Sequence, residues 1–204
     1  MYTLAAVITE SLGGRPWEDM VRESIFTPLG MNRSTFVTQA DFGDNVALPM
    51  CSESGVGLVK CSLDFIRHWG SFIGSGNVFS SARDMSQWLL CLLNDGTAAD
   101  GRRVLAQGLV DTLHKPQNTI PLSSYAKYYM KPVTPQTFSG DTYGLGWRLG
   151  YYRGYRTAHH SGSTYGYDSY ITLLRDENIG IFSTATGSDN NFEFRTALHT
   201  SWQT

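Results

Sequence analysis

Ser169-Tyr170-Ile171-Thr172-Leu173-Leu174, then Arg175-Asp176-Glu177-Asn178, then Ile179-Gly180-Ile181-Phe182-Ser183-Thr184 is the stretch that decides the fold class. Two apolar, β-branched and aromatic runs flank a four-residue polar turn, which makes them neighbouring antiparallel strands. Two more strands precede them. One is predicted over Tyr143-Gly144-Leu145-Gly146-Trp147-Arg148-Leu149 and one over Thr157-Ala158-His159-His160. The first half of the chain carries helical periodicity instead. Leu4, Val7, Ile8 and Leu12 share one helix face within residues 3–12, which Gly13-Gly14 ends. Pro16 suits a first helical position, and Trp17, Met20, Val21 and Ile25 form a second stripe, ended by Pro28. Residues 45–62 alternate loosely around Gly55 and Gly57, as a hairpin or small subdomain would. Met85, Trp88, Leu89 and Leu92 mark the buried face of a helix after residue 81, and residues 105–114 a shorter one. Residues 116–142 read as a long irregular loop and residues 191–202 as a closing helix. Helices first and a strand meander last predict an α+β fold, with helices packed on an antiparallel sheet.

Composition narrows the function classes. The chain has 204 residues, 41% hydrophobic and 17% charged, enough apolar material for a core. Sixteen Lys and Arg against eighteen Asp and Glu leave a net charge of −2. That is no electrostatic footprint for nucleic acid. No apolar run approaches the roughly 18–20 residues of a membrane span. Walker A, GxSxG, HExxH and complete GxGxxG motifs are absent, and no cofactor is expected. Cys51 and Cys61 lie close enough to close a hairpin. The favoured reading is nevertheless three reduced, buried cysteines, with Cys91 a helical thiol. Asn32-Arg33-Ser34 is a formal glycosylation sequon, read as an ordinary turn. His68 and His114, in apolar settings, read as satisfied structural histidines.

The stretch richest in chemistry is His159-His160-Ser161-Gly162-Ser163-Thr164-Tyr165-Gly166-Tyr167-Asp168-Ser169. Alternation along a strand lets only one of His159 and His160 face a site. Gly162 permits close approach of a ligand or another backbone. A backbone N–H beyond it could meet a developing oxyanion.

This stretch resembles the third motif of the serine β-lactamase-related family: class C β-lactamases, penicillin-binding proteins of that type, esterases and D-aminopeptidases. The family has Lys-Thr/Ser-Gly or His-x-Gly there; this chain has His160-Ser161-Gly162, followed by Gly166-Tyr167-Asp168-Ser169. Pro28-Leu29-Gly30-Met31 before Thr35-Phe36, the loop from Gly74 through Asp84, and Tyr143-Gly144-Leu145-Gly146-Trp147 match further landmarks in the family's order. The resemblance covers residues 1–204, as the C-terminal part of one β-lactamase/transpeptidase-like domain. It implies catalytic positions at His160, Ser161, Gly162 and Ser163: His160 beside the nucleophile, the Ser163 N–H in the oxyanion hole, and Gly162 keeping the groove open. It also implies a small-molecule or peptide substrate in the complete domain.

The family's Ser-x-x-Lys nucleophile and Tyr-x-Asn belong before residue 1 in its order, and this chain holds neither there. The fold is therefore expected to be incomplete at the N-terminus, with a sheet edge and an apolar helix face uncovered. The chain alone is expected to be catalytically silent. Ser124-Tyr125-Ala126-Lys127 has the Ser-x-x-Lys pattern, but in a proline-bounded loop at the wrong place in the order. It is set aside. A non-catalytic binding or extracellular matrix protein reusing the scaffold is the alternative, with the aromatics as contact surface. A small carbohydrate-binding β-domain fits the helical first half poorly. The compartment stays open, leaning extracellular.

Overall fold

The computed structural model describes residues 1–41, 43, 45–68, 70, 73–121, 139–187 and 198–199. The strand-rich last third, joined by the short β5 from the stretch 116–142 expected to be irregular, forms a sheet in the order β10-β9-β8-β7-β6-β5, as expected for an α+β chain. Its strands are β5 (Asn118–Thr119), β6 (Thr142–Tyr143), β7 (Arg148–Tyr152), β8 (Tyr155–Thr164), β9 (Tyr167–Leu174) and β10 (Ile179–Thr186). β5 to β8 pair antiparallel, with Asn118 opposite Tyr143, Tyr143 opposite Arg148 and Arg148 opposite His159. β9 and β10 are joined through a 3-10 turn at Arg175–Glu177, which Asn178 closes at φ 55.

The strand predicted over 143–149 is two strands and a hairpin loop. β6 ends at Tyr143 and β7 begins at Arg148. Gly146, at φ 82, turns the chain between them, a conformation that a side chain at this position would resist. β8 is also longer than the predicted 157–160 and carries the whole His160–Ser163 stretch within a strand.

The chain divides into two compact units. The first comprises Met1–Gln87, Gly162–Ser169 and Ser183–Thr204. Its α1 spans Tyr2–Gly13 and buries only Ala6; Leu4, Val7 and Ile8 are about half exposed and Leu12 mostly so. Pro16 sits one position outside α2 (Trp17–Val21), not inside it. The hydrogen bonding then widens to a π-helical turn over Arg22–Phe26, where Thr27 N–H bonds Arg22 O at 2.8 Å. This places Phe26 in the core, stacked on Phe36 at 5.6 Å between centroids. Phe36 lies on β1 (Thr35–Phe36), paired with β4 (Val78–Phe79).

The predicted hairpin is β2 (Met50–Glu53) with β3 (Gly57–Lys60). Cys51 and Cys61 are disulfide-bonded across it, with Cα atoms 5.9 Å apart, so the reading of three reduced cysteines is corrected. Antiparallel pairing brings the two ends of the ten-residue separation together within bonding reach. Cys91 is free and buried, as expected. Ser62 caps the short α3 (Leu63–Arg67) that follows.

The second unit comprises Trp88–Ser161 and Tyr170–Phe182. Its core joins Leu89 and Leu92 of α4 (Ala82–Leu93), Val110 of α5 (Leu109–Leu113), Trp147, Ala158 and Leu173. α5 is shorter than the predicted 105–114 because Gly108, at φ 74, precedes it. The Ser124–Lys127 pattern and nearly all of the predicted helix over 191–202 lie outside the described residues.

Candidate active site

β8 positions the third-motif residues, and its ladder with β7 ends at His159, while the strand itself continues to Thr164. In the second unit the His159/His160 alternative resolves by alternation. His159 is 4% exposed, stacked on Tyr170 at 5.6 Å, with Nδ1 2.9 Å from its hydroxyl. His160 faces the other way and is half-buried. Its Nε2 lies 3.0 Å from the hydroxyl of Tyr143, and the two rings meet edge to face with centroids 6.0 Å apart. Burial lowers the basicity of the His160 imidazole; a hydrogen bond to the Ser161 backbone opposes this, and the nearby Arg148 charge adds to it. Burial and the nearby Arg148 thus favour the neutral imidazole. Tyr143 was legible only as a family landmark; its partnership with His160 carried no sequence signal.

In the first unit Gly162 lies on β8, and a Cβ there would sit 2.5 Å from Ser169 Oγ. The neighbour that favours glycine at this position is therefore the chain's own β9. Ser163 is exposed near the end of β8. The turn beyond is held from several sides. Gly166 O accepts from the N–H groups of Met50 (3.3 Å) and Gly187 (3.2 Å). The Tyr167 hydroxyl donates to Ala47 O at 2.6 Å, and burial pushes its pKa up to about 12. Phe79 meets Tyr167 edge-on, and Phe65 lies 4.5 Å from Tyr165 between centroids. Asp168 is buried, and its carbonyl accepts from the Thr184 hydroxyl at 3.0 Å. The Gly166–Ser169 pattern thus does structural work, tying a turn to its surroundings.

The Gly74–Asp84 landmark is structural as well. Asp84 is buried, and its carboxylate accepts from the Arg33 backbone N–H and the Ser34 hydroxyl. The sequon's Ser34 is therefore spent inside the fold, in line with the turn reading. His68 bonds Asp64 O at 2.8 Å. His114, expected to be satisfied, packs edge-on to Trp147 but leaves a buried Nε2 without a hydrogen-bond partner among the described residues. Burial pushes its pKa down to about 4. It lines a cavity of about 620 Å³ in the second unit, with Leu149, Thr157 and Leu173, a cavity that none of the four predicted site residues lines. Among the described residues no group of three or more His, Cys, Asp or Glu is placed to hold a metal ion. None of their helices is long and apolar enough to cross a membrane.

Comparison with known proteins agrees with this layout. The family model described as Beta-lactamase matches residues 1–203. Penicillin-binding protein 4 of Amycolatopsis lactamdurans is 27% identical over 180 residues, covering 87% of this chain and 43% of that protein. The octameric penicillin-binding protein homologue from Pyrococcus abyssi superposes with a TM-score of 0.71 at 22% identity, over 98% of this chain and 41% of its own. The D-amino acid amidase from Ochrobactrum anthropi superposes with a TM-score of 0.70 at 20% identity, over 94% of this chain and 50% of its own. The chain spans less than half the length of the curated relatives it matches.

Proposed function

Because this chain belongs to the β-lactamase family, we propose that it supplies the third-motif half of a serine hydrolase site. Residues 1–204 are read as the C-terminal part of one such domain. In the complete protein an upstream serine attacks an ester or amide carbonyl and forms an acyl-serine intermediate, which water then cleaves. The β8 strand contributes His160, Ser161, Gly162 and Ser163. The Ser163 N–H stabilises the oxyanion as the carbonyl becomes tetrahedral. His160 stands beside the nucleophile as a hydrogen-bonding partner, and Gly162 makes room for Ser169 of β9 beside it.

One observation carries the reading: the β7 ladder stops at His159, and β8 runs on to Thr164 without it. The end of a ladder is where an extended substrate segment can pair with strand backbone. The depressed basicity of His160 supports the choice of substrate. A third-motif Lys would be a permanent cation suited to a carboxylate, whereas this imidazole is mostly neutral at pH 7. Esters or peptides without a carboxylate at that position fit better than penicillin-like acids.

The chain alone is proposed to be inactive, since it carries no serine of the expected motif at the expected place. Incubation with a chromogenic cephalosporin and small aryl esters tests this. No turnover is expected from the chain and ester turnover from the whole protein. Turnover by the chain that disappears in Ser124→Ala overturns the assignment of the nucleophile. A whole protein that binds but never turns over either substrate class favours the non-catalytic alternative.

A further inference from the structure

Tyr143 and His160 stand on strands that are not neighbours: β7 lies between β6 and β8. The register sets Tyr143 one residue short of level with His160. Tyr143 is opposite Arg148, and Arg148 is opposite His159, the last β8 residue on the β7 ladder. One step further along β8, His160 turns its ring to the Tyr143 hydroxyl at 3.0 Å. The edge-to-face contact between the rings restricts the imidazole plane as well as its position.

A neutral imidazole has one N–H and one bare nitrogen, and a phenol has one proton to give. A phenol is a far stronger acid than a neutral imidazole N–H, so the stronger hydrogen bond across the 3.0 Å contact has the Tyr143 hydroxyl donating to bare Nε2. The ring proton then sits on Nδ1. We infer that Tyr143 is a positioning residue for His160, fixing its Nδ1–H tautomer and ring plane at the start of the β8 extension. The inference deepens, and rests on, the hydrolase reading for its functional consequence: the third-motif position offers substrate an oriented neutral ring. The matching substrate class is an ester or amide with no carboxylate at that subsite.

The test reads the imidazole itself and needs no turnover. Nitrogen-15 correlation spectra of this chain at pH 7, with His160 assigned by its loss in His160→Gln, are expected to show a bare Nε2 and a protonated Nδ1. In Tyr143→Phe the aromatic ring and its packing remain, and the His160 Nε2 signal is expected to move toward the protonated-nitrogen region as the tautomer preference is lost. A protonated Nε2 in the wild-type chain overturns the proposal, and this reading stands even where the variant fails to fold. An unchanged His160 ring in a folded Tyr143→Phe variant overturns it as well. In the whole protein the same variant is expected to lower kcat on a neutral aryl ester more than it raises KM. A fixed tautomer in a protein without turnover would leave the positioning intact and sink the hydrolase reading instead.

Discussion

The carboxylate of Asp84 accepts a hydrogen bond from the Ser34 hydroxyl, fifty residues earlier in the chain, at 2.8 Å. The Arg33 backbone N–H reaches the same oxygen at 2.8 Å, and Ser34 also meets Ser80 at 2.8 Å. This buried knot fastens the turn after Pro28-Leu29-Gly30-Met31 to the start of α4. It gives two family landmarks, far apart in the sequence, one shared physical purpose. Hydrogen bonds to a buried charge are worth more than neutral ones, so Asp84→Ala is expected to destabilise the fold by about 2–3 kcal/mol. Urea denaturation of the variant checks this, and a midpoint unchanged from wild type contradicts it.

The Cys51–Cys61 disulfide closes a small loop around the β2–β3 hairpin. A cross-link at that separation removes chain entropy from the unfolded state worth about 2–3 kcal/mol in the simplest loop model. Cys51→Ser with Cys61→Ser is therefore expected to lower the denaturation midpoint, and reductant should lower the wild-type midpoint by a similar amount while leaving the variant alone.

Gly162 and Ser169 are coupled through space. A methyl at residue 162 meets Ser169 Oγ at 2.5 Å, but that atom is the end of a side chain that can rotate. Gly162→Ala is expected to cost about 1–2 kcal/mol, in the range of mild overpacking. Ser169→Ala should recover part of that loss when combined with it, a non-additive pair in a double-mutant cycle of thermal melts. Strict additivity would mean that some other neighbour sets the requirement for glycine.

Stability should fall in mild acid through His114. Its folded pKa is pushed down to about 4 by burial, against an ordinary value of 6.5. The unfolded chain therefore takes up a proton near pH 6.5 that the folded chain refuses until about pH 4. Stability is full above the ordinary value, declines as pH falls between the two, and loses nothing more through this group below the lower one. His199, also pushed down to about 4 by burial, adds a parallel loss. The Tm of His114→Gln is expected to drop less than that of the wild type between pH 7 and pH 5. Equal slopes would remove His114 from the account.

Much of the architecture is legible in local sequence signals. The apolar, β-branched run of β9 and the polar turn at Arg175–Asn178 are local signals, and the strands lie where those signals put them. The helix after residue 81 follows from its apolar stripe of Met85, Trp88, Leu89 and Leu92. The hairpin loop inside Tyr143–Trp147 was missed because its apolar and glycine residues fit a strand equally well. Only the positive φ of Gly146 distinguishes the two. α5 was overextended for a similar reason, since helical periodicity does not register the break at Gly108.

The candidate site divides in the same way. Strand alternation alone determined that His159 and His160 point apart, and residue identity alone marked His160-Ser161-Gly162 as a third motif. Which histidine is buried on Tyr170, which one meets Tyr143, and whether Cys51 reaches Cys61 were decided by the tertiary structure. The physical reason is register. These contacts depend on how strands slide against one another, and a one-residue slip would turn every side chain to the opposite face. Period-2 patterning specifies the faces of each strand, but the packing of the whole sheet decides which residue stands level with which.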